Sequence, residues 1–139
     1  MPETQEARPA GIEESDRFTP RFGSDGLIPC VTLDAADGDV LMMAWMNQES
    51  LRLTLETGFV HYWSRSRQRI WKKGETSGAV QHVIELRTDC DQDVLLVRAA
   101  VGERAGTCHT GRSTCFYRSV PLGGGPVERP FAPADATGD

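Results

Sequence analysis

Proline is confined to the two ends of this chain. Pro2, Pro9, Pro20 and Pro29 precede Val31; Pro121, Pro126, Pro130 and Pro133 follow Val120; the stretch between has none. A proline removes a backbone donor and breaks a helix or a central strand. The uninterrupted stretch is therefore where a hydrogen-bonded fold can form. With 139 residues in all, one domain is expected. Its span is read as residues 18–121, between flexible tails at 1–17 and 122–139, the latter marked by Gly123, Gly124, Gly125 and Gly138.

Within the proline-free stretch the pattern is that of short strands. Leu27–Leu33 reads as a strand, Ala35–Asp39 as a turn carrying Asp37-Gly38, and Val40–Met46 as an apolar strand buried on both faces. Asn47 can cap a helix starting at Gln48, with Leu51 and Leu55 on one face and Gly58 as its stop. Phe59–Arg65, Val80–Asp89, Val94–Val101 and Thr114–Val120 read as further strands. In the second of these, alternation places Val80, His82, Ile84 and Leu86 on one side. The class is α+β, a strand-dominated single domain with one or two helices.

Charge and apolarity exclude several functions. The net charge of -5 and pI near 5.2 argue against a nucleic-acid partner, which needs a basic surface. No apolar run approaches the ~20 residues of a membrane span. Residues 1–17 are acidic and lack the apolar core of a secretory signal, so a cytoplasmic location without a membrane partner is expected. Thiols there stay reduced. The four cysteines then read as metal ligands, nucleophiles or packing residues, and Cys30, in an apolar run, reads as packing.

Three constellations carry chemistry. In Asp89-Cys90-Asp91-Gln92-Asp93, an extended chain would put the three carboxylates on one face and Cys90 on the other. Crowded carboxylates suit a hard cation such as magnesium or calcium, or form a solvated acidic turn. In the loop from Cys108 to Cys115, two thiols bracket His109, Gly111 and Arg112. With Cys90 they make three soft ligands for zinc, and three protein ligands leave a position for water, whose pKa falls toward ~7 on the metal. His109 is a fourth ligand or a general acid/base. The third is a basic, aromatic segment, with Arg65, Arg67, Arg69, Lys72 and Lys73 interleaved with Tyr62, Trp63 and Trp71. Arginine forks grip phosphate and aromatic faces stack on bases. Gly74-Glu75-Thr76-Ser77-Gly78 follows, a loop with two hydroxyls that can cradle phosphate. Together these point to a zinc hydrolase acting on a phosphorylated, nucleotide-like molecule.

The runs Trp71–Gly78, Asp89–Asp93 and Cys108–Arg118 closely resemble the phosphoribosyl-AMP cyclohydrolase family. Asp25–Pro29, Val40–Asn47 and Trp63–Ser66 are similar to it as well. The resemblance implies zinc, one ion per subunit, on Cys90, Cys108 and Cys115, and magnesium on Asp89, Asp91 and Asp93. It further implies an intertwined homodimer with the zinc site shared between subunits. The implied reaction is hydrolysis of the N1–C6 bond of the adenine ring of phosphoribosyl-AMP, the third step of histidine biosynthesis. On that footing His109 is expected to move the proton. Trp63, Arg65, Arg67, Trp71, Lys73, Thr76, Ser77 and Arg112 are expected to contact substrate. Trp45, where the family usually has tyrosine, and Ser113-Thr114, where Arg-Ser is usual, leave the metal ligands intact.

Overall fold

The computed structural model describes residues 11–129. Six strands form one mixed sheet: β1 (Ile28–Asp34), β2 (Val40–Met46), β3 (His61–Ser64), β4 (Arg69–Lys72), β5 (Gln81–Thr88) and β6 (Leu95–Val101). Their order is β4-β3-β2-β1-β6-β5. Only the β1–β6 pair is parallel; the other pairs are antiparallel. One α-helix, α1 (Gln48–Thr57), joins β2 to β3, and two 3-10 turns cover Ile12–Glu14 and Arg104–Gly106. Among the described residues no helix is long and apolar enough to cross a membrane.

Local chemistry sets the helix ends. Asn47 Oδ1 accepts from Ser50 N at 2.8 Å, and Ser50 Oγ accepts from Asn47 N at 2.9 Å, a reciprocal cap. Gly58, at φ 80, closes the other end with its N–H on Thr54 O. The buried face of α1 is Ser50, Leu51 and Thr54. Leu55, expected beside Leu51, is instead 55% exposed.

The sheet curls until its far ends meet. Val60 N donates to Gln81 O at 3.0 Å and Val83 N to Gly58 O at 2.7 Å, and Phe59 bridges His82. The segment ahead of β3 thus pairs with β5, at the opposite edge of the sheet. Inside the curl lie Ile28, Cys30, Met42, Met46, Leu51, Val60, Tyr62, Leu95, Val97 and Ala99. Burial pushes the Cys30 thiol up to about 12, although its hydrogen bond to Thr32 pulls the other way. It stays protonated, as a packing residue should.

Four strands share a buried polar relay. Tyr62 Oη donates to Gln81 Oε1 at 2.7 Å, so the hydroxyl of Thr32, 2.6 Å away, is the donor to the phenol oxygen. Gln81 Nε2 donates to Met42 Sδ at 3.3 Å.

Several sequence expectations change. Thr114–Val120 is not a strand. It runs beside β2, with Cys115 N on Leu41 O at 2.7 Å and Thr114 Oγ1 on Val40 O at 2.8 Å, and its one bridge joins Ser119 to Glu128. Arg69–Lys72, read as a basic segment, is strand β4. Val40–Met46 is not buried on both faces, since Val40 and Met43 are exposed. The β5 alternation fails at a bulge between Val83 and Glu85. The extra residue, Ile84, is exposed, and Val83 and Leu86 both face the core. At the N-terminus Ile12 is buried. The parts of the expected tails at 1–10 and 130–139 lie outside the described residues.

Tyr62→Phe removes the phenol that joins Thr32 to Gln81 and leaves buried polar atoms without partners, a loss of about 2 kcal/mol. Urea unfolding should show a lower midpoint with an unchanged slope.

Candidate active site

The β3–β4 hairpin decides which aromatic and basic side chains meet. Its register pairs Tyr62 with Trp71 and Ser64 with Arg69, and Trp63 with Ile70. Side chains alternate across a strand, so Tyr62, Ser64, Arg69 and Trp71 share the inner face and Trp63 lies on the outer one. Trp63 pairs there with Trp45 of β2, whose own partner on β1 is Pro29. Arg65 stacks over the Trp45 ring at 4.9 Å.

On the inner side a cleft of about 580 Å³ opens between this hairpin, the 73–78 loop and the segment from Gly106 to Cys115. Of the expected site residues, Arg67, Trp71, Lys73, Thr76, Ser77, Cys108, His109 and Cys115 line it. Trp63 and Arg65 sit on the outer face. Arg112 is buried outside the lining, its guanidinium 3.9 Å above the Tyr117 ring. Arg69 and Ser64 line the cleft too. Their sequence signal was the two-residue step from Trp71 and Tyr62, legible only once the hairpin register is known.

Gly74 shapes the 73–78 loop. Its φ is +87, and a Cβ there would lie 2.2 Å from Val80 N. Part of the loop's donor capacity is used internally: Glu75 N bonds Lys72 O, Gly78 N bonds Gly74 O, and Ala79 N bonds Ser77 Oγ. The neighbouring 3-10 turn presses close, since a Cβ on Gly106 would meet Ser77 Cβ at 2.9 Å.

Cys108 and Cys115 both line this cleft and shift each other's pKa. Burial raises the Cys108 pKa, but hydrogen bonds from the Thr110 hydroxyl and backbone and from Cys115, with the charge of Lys73, outweigh it and leave it below the usual thiol value. Thr110 Oγ1 lies 3.1 Å from Cys108 Sγ, a contact that sequence reading did not single out. Cys115 is pushed up to about 11 by desolvation, then by the charge of Cys108 and the hydrogen bond to it. Of the two, Cys108 therefore gives up its proton before Cys115. Lys73 is only 8% exposed, and its Nζ donates to Thr107 O at 2.5 Å. Burial lowers its pKa, while the thiols Cys115 and Cys108 pull it up.

Cys90 is elsewhere. Residues 89–94 form the tight turn between β5 and β6, with Gln92 at φ 59, so the extended reading of this run does not hold. Gln92 is buried, tied to Thr19 N at 2.7 Å and Arg17 O at 3.0 Å. In this turn one ligand atom each from Asp89, Cys90 and Asp91 lie within 4.8 Å of one another, so Cys90 does not point away from the carboxylates. Cys108 and Cys115 join no such group of three among the described residues. Asp93 is pushed up to about 6 by burial, and then by hydrogen bonds and charge from Asp91 and Asp89.

Comparison with known proteins decides the family. The phosphoribosyl-AMP cyclohydrolase family model matches residues 42–117. A phosphoribosyl-AMP cyclohydrolase of Brucella canis is 60% identical over 116 residues, 84% of each chain. One from Chelativorans sp. is 58% identical over 113 residues, 81% of each chain. The chain belongs to the phosphoribosyl-AMP cyclohydrolase family. The family acts on phosphoribosyl-AMP in histidine biosynthesis, and the segment matched to it contains the thiol pair, His109 and the 89–93 turn.

Two outcomes follow. Gly74→Ala combines a positive φ with a backbone clash and should cost about 3 kcal/mol or more, read as a fall in the denaturant midpoint. A carboxyl whose pKa is raised in the folded state binds protons more tightly there than when unfolded. Its contribution is then fully present below about pH 3.8 and is lost as pH rises through about 6. In metal-free protein, Asp93→Asn should therefore stabilise more at pH 7 than at pH 4. Equal effects at both pH values would contradict the crowding of the three carboxylates.

Proposed function

We propose that this chain hydrolyses the N1–C6 bond of the adenine ring of phosphoribosyl-AMP, opening the ring to a carboxamide. The observation that carries the reading is a thiol pair with a neighbouring histidine, set at one end of a cleft lined with arginines, in a member of this family. Zinc fits the donor set at Cys108 and Cys115, because two sulfurs with Thr110 donating to one of them favour a soft cation over protons. Cys90 of the partner subunit would complete the set. Two observations support a homodimer. Cys90 groups with Asp89 and Asp91 and not with the thiol pair of its own chain, and the outer sheet face carries a row, Ile70–Trp63–Trp45–Pro29, that is only half-buried among the described residues. Asp89, Asp91 and Asp93 fit magnesium, since desolvation and then the crowding of the three carboxyls, which together raise the Asp93 pKa, are what a hard cation offsets.

When bound, zinc supplies the Lewis acidity that lets water act as a nucleophile near neutral pH. The chain's own residues do the rest. Trp71 offers an aromatic face to the purine. Arg67 and Arg69 grip the phosphates, with Thr76 and Ser77 as hydroxyl donors. Lys73, held on Thr107 O, keeps a positive charge beside the thiolates rather than reaching substrate. His109, exposed at the mouth of the cleft beside Cys108, takes the proton from the attacking water. It returns that proton to N1 as the bond to C6 breaks.

The direct test is ring opening followed by ultraviolet absorbance on purified protein with zinc and magnesium. Turnover should be abolished by a chelator. Cys108→Ala should lose both zinc and activity. His109→Ala should retain zinc while kcat falls by about 10²–10⁴; loss of zinc with it would make His109 a ligand. Arg69→Gln should raise KM about tenfold and change kcat little. Sedimentation showing a monomer with a filled zinc site would end the shared-site reading.

A further inference from the structure

One arginine outside the cleft lining gathers three carboxylates. Arg104 Nη1 lies 3.3 Å from Asp34 Oδ2 and 3.0 Å from Asp37 Oδ2, and Nη2 lies 3.2 Å from Asp39 Oδ2. Of its two remaining donors, Nε points to Ser113 O at 3.4 Å. Asp34 ends β1, Asp37 and Asp39 lie in the turn that leads to β2, and this turn is itself fixed. Asp34 Oδ1 accepts from Ala36 N, Gly38 N bonds Asp34 O, and Asp34 N bonds Asp39 O. Ser113 stands two residues before Cys115. The adjoining Thr114 and Cys115 are tied to Val40 and Leu41, the first residues of β2 after that same turn.

We propose that Arg104 is a positioning residue for the thiol pair: it clamps the 108–115 loop to the β1–β2 turn and so sets Cys115 against Cys108. A planar guanidinium can face three carboxylates and still donate to a carbonyl, whereas an ammonium can keep the charge but not the fork. Arg104→Lys therefore separates charge pairing from positioning. The consequence for zinc rests on the reading of the pair as metal ligands; the clamp itself does not.

Two measurements on the full chain test it. The first is zinc affinity by competition with a chromophoric chelator, alongside the melting temperature of the metal-free protein. Arg104→Lys should weaken zinc about 10–100-fold, as loss of groups that orient metal ligands does, with the melting temperature nearly unchanged. kcat should fall more than KM rises. The second is capture of metal-free protein by phenylarsine oxide, which bridges two sulfurs held close together; Arg104→Lys should be captured more slowly than wild type. Unchanged arsenical capture overturns the clamp. So does an equal weakening of zinc in Tyr62→Phe, which would trace the effect to general stability. If wild type takes up no zinc but capture still slows in Arg104→Lys, the clamp stands and the metal reading fails.

Discussion

Tyr62 is the point on which the sheet closes. Its phenol is fully buried, and the only way to bury it without loss is to give its one proton to Gln81 and accept one from Thr32. Those partners come from β5 and β1, and Gln81 then reaches Met42 on β2. An apolar core tolerates small slips of one strand against another; this relay does not. It ties the register of β3 to strands it does not neighbour in the sheet, and the Val60–Gln81 backbone bond repeats the tie.

That closure explains which half of the basic, aromatic segment reaches the cleft. Once Tyr62 faces inward, period-two geometry sends Trp71, Ser64 and Arg69 to the same side and Trp63 to the other. The cross-strand row from Ile70 to Pro29 is the direct counterpart: an apolar outer row created by the same alternation that sends Ser64 and Arg69 to the cleft.

Much of this was legible in the sequence. The cap at Asn47, the stop at Gly58, the Asp37-Gly38 turn and the limits of β2 were readable because each rests on chemistry within a few residues. The long motifs placed the chain in its family and located Cys108, His109 and Cys115. What the sequence hid was non-local. Arg69–Lys72 is only four residues with a charge at each end, and it shows as a strand once β3 pairs with it. Thr114–Val120 looks like a strand, but Thr114 and Cys115 bind the edge of β2 through isolated bonds instead. The 89–93 run was read as extended because nothing nearby announces that Gln92 takes a left-handed conformation. It does so because its side chain is held by residues more than seventy positions earlier in the chain. The bulge at Ile84 reversed the expected faces of β5 for a similar reason, since register against β6 overrides local alternation.

Val60 has one further consequence. Its N–H closes the sheet on Gln81, and its carbonyl accepts from Lys73 N at 3.0 Å. Lys73 begins the loop that forms one wall of the cleft. The start of that wall is thus hung on the seam of the sheet. The opposite wall hangs from side-chain tethers and a few isolated backbone bonds. The two sides of the cleft are anchored differently: one begins at the backbone bonds of the seam, while the side that carries the sulfurs is strapped to the start of β2 and the turn before it.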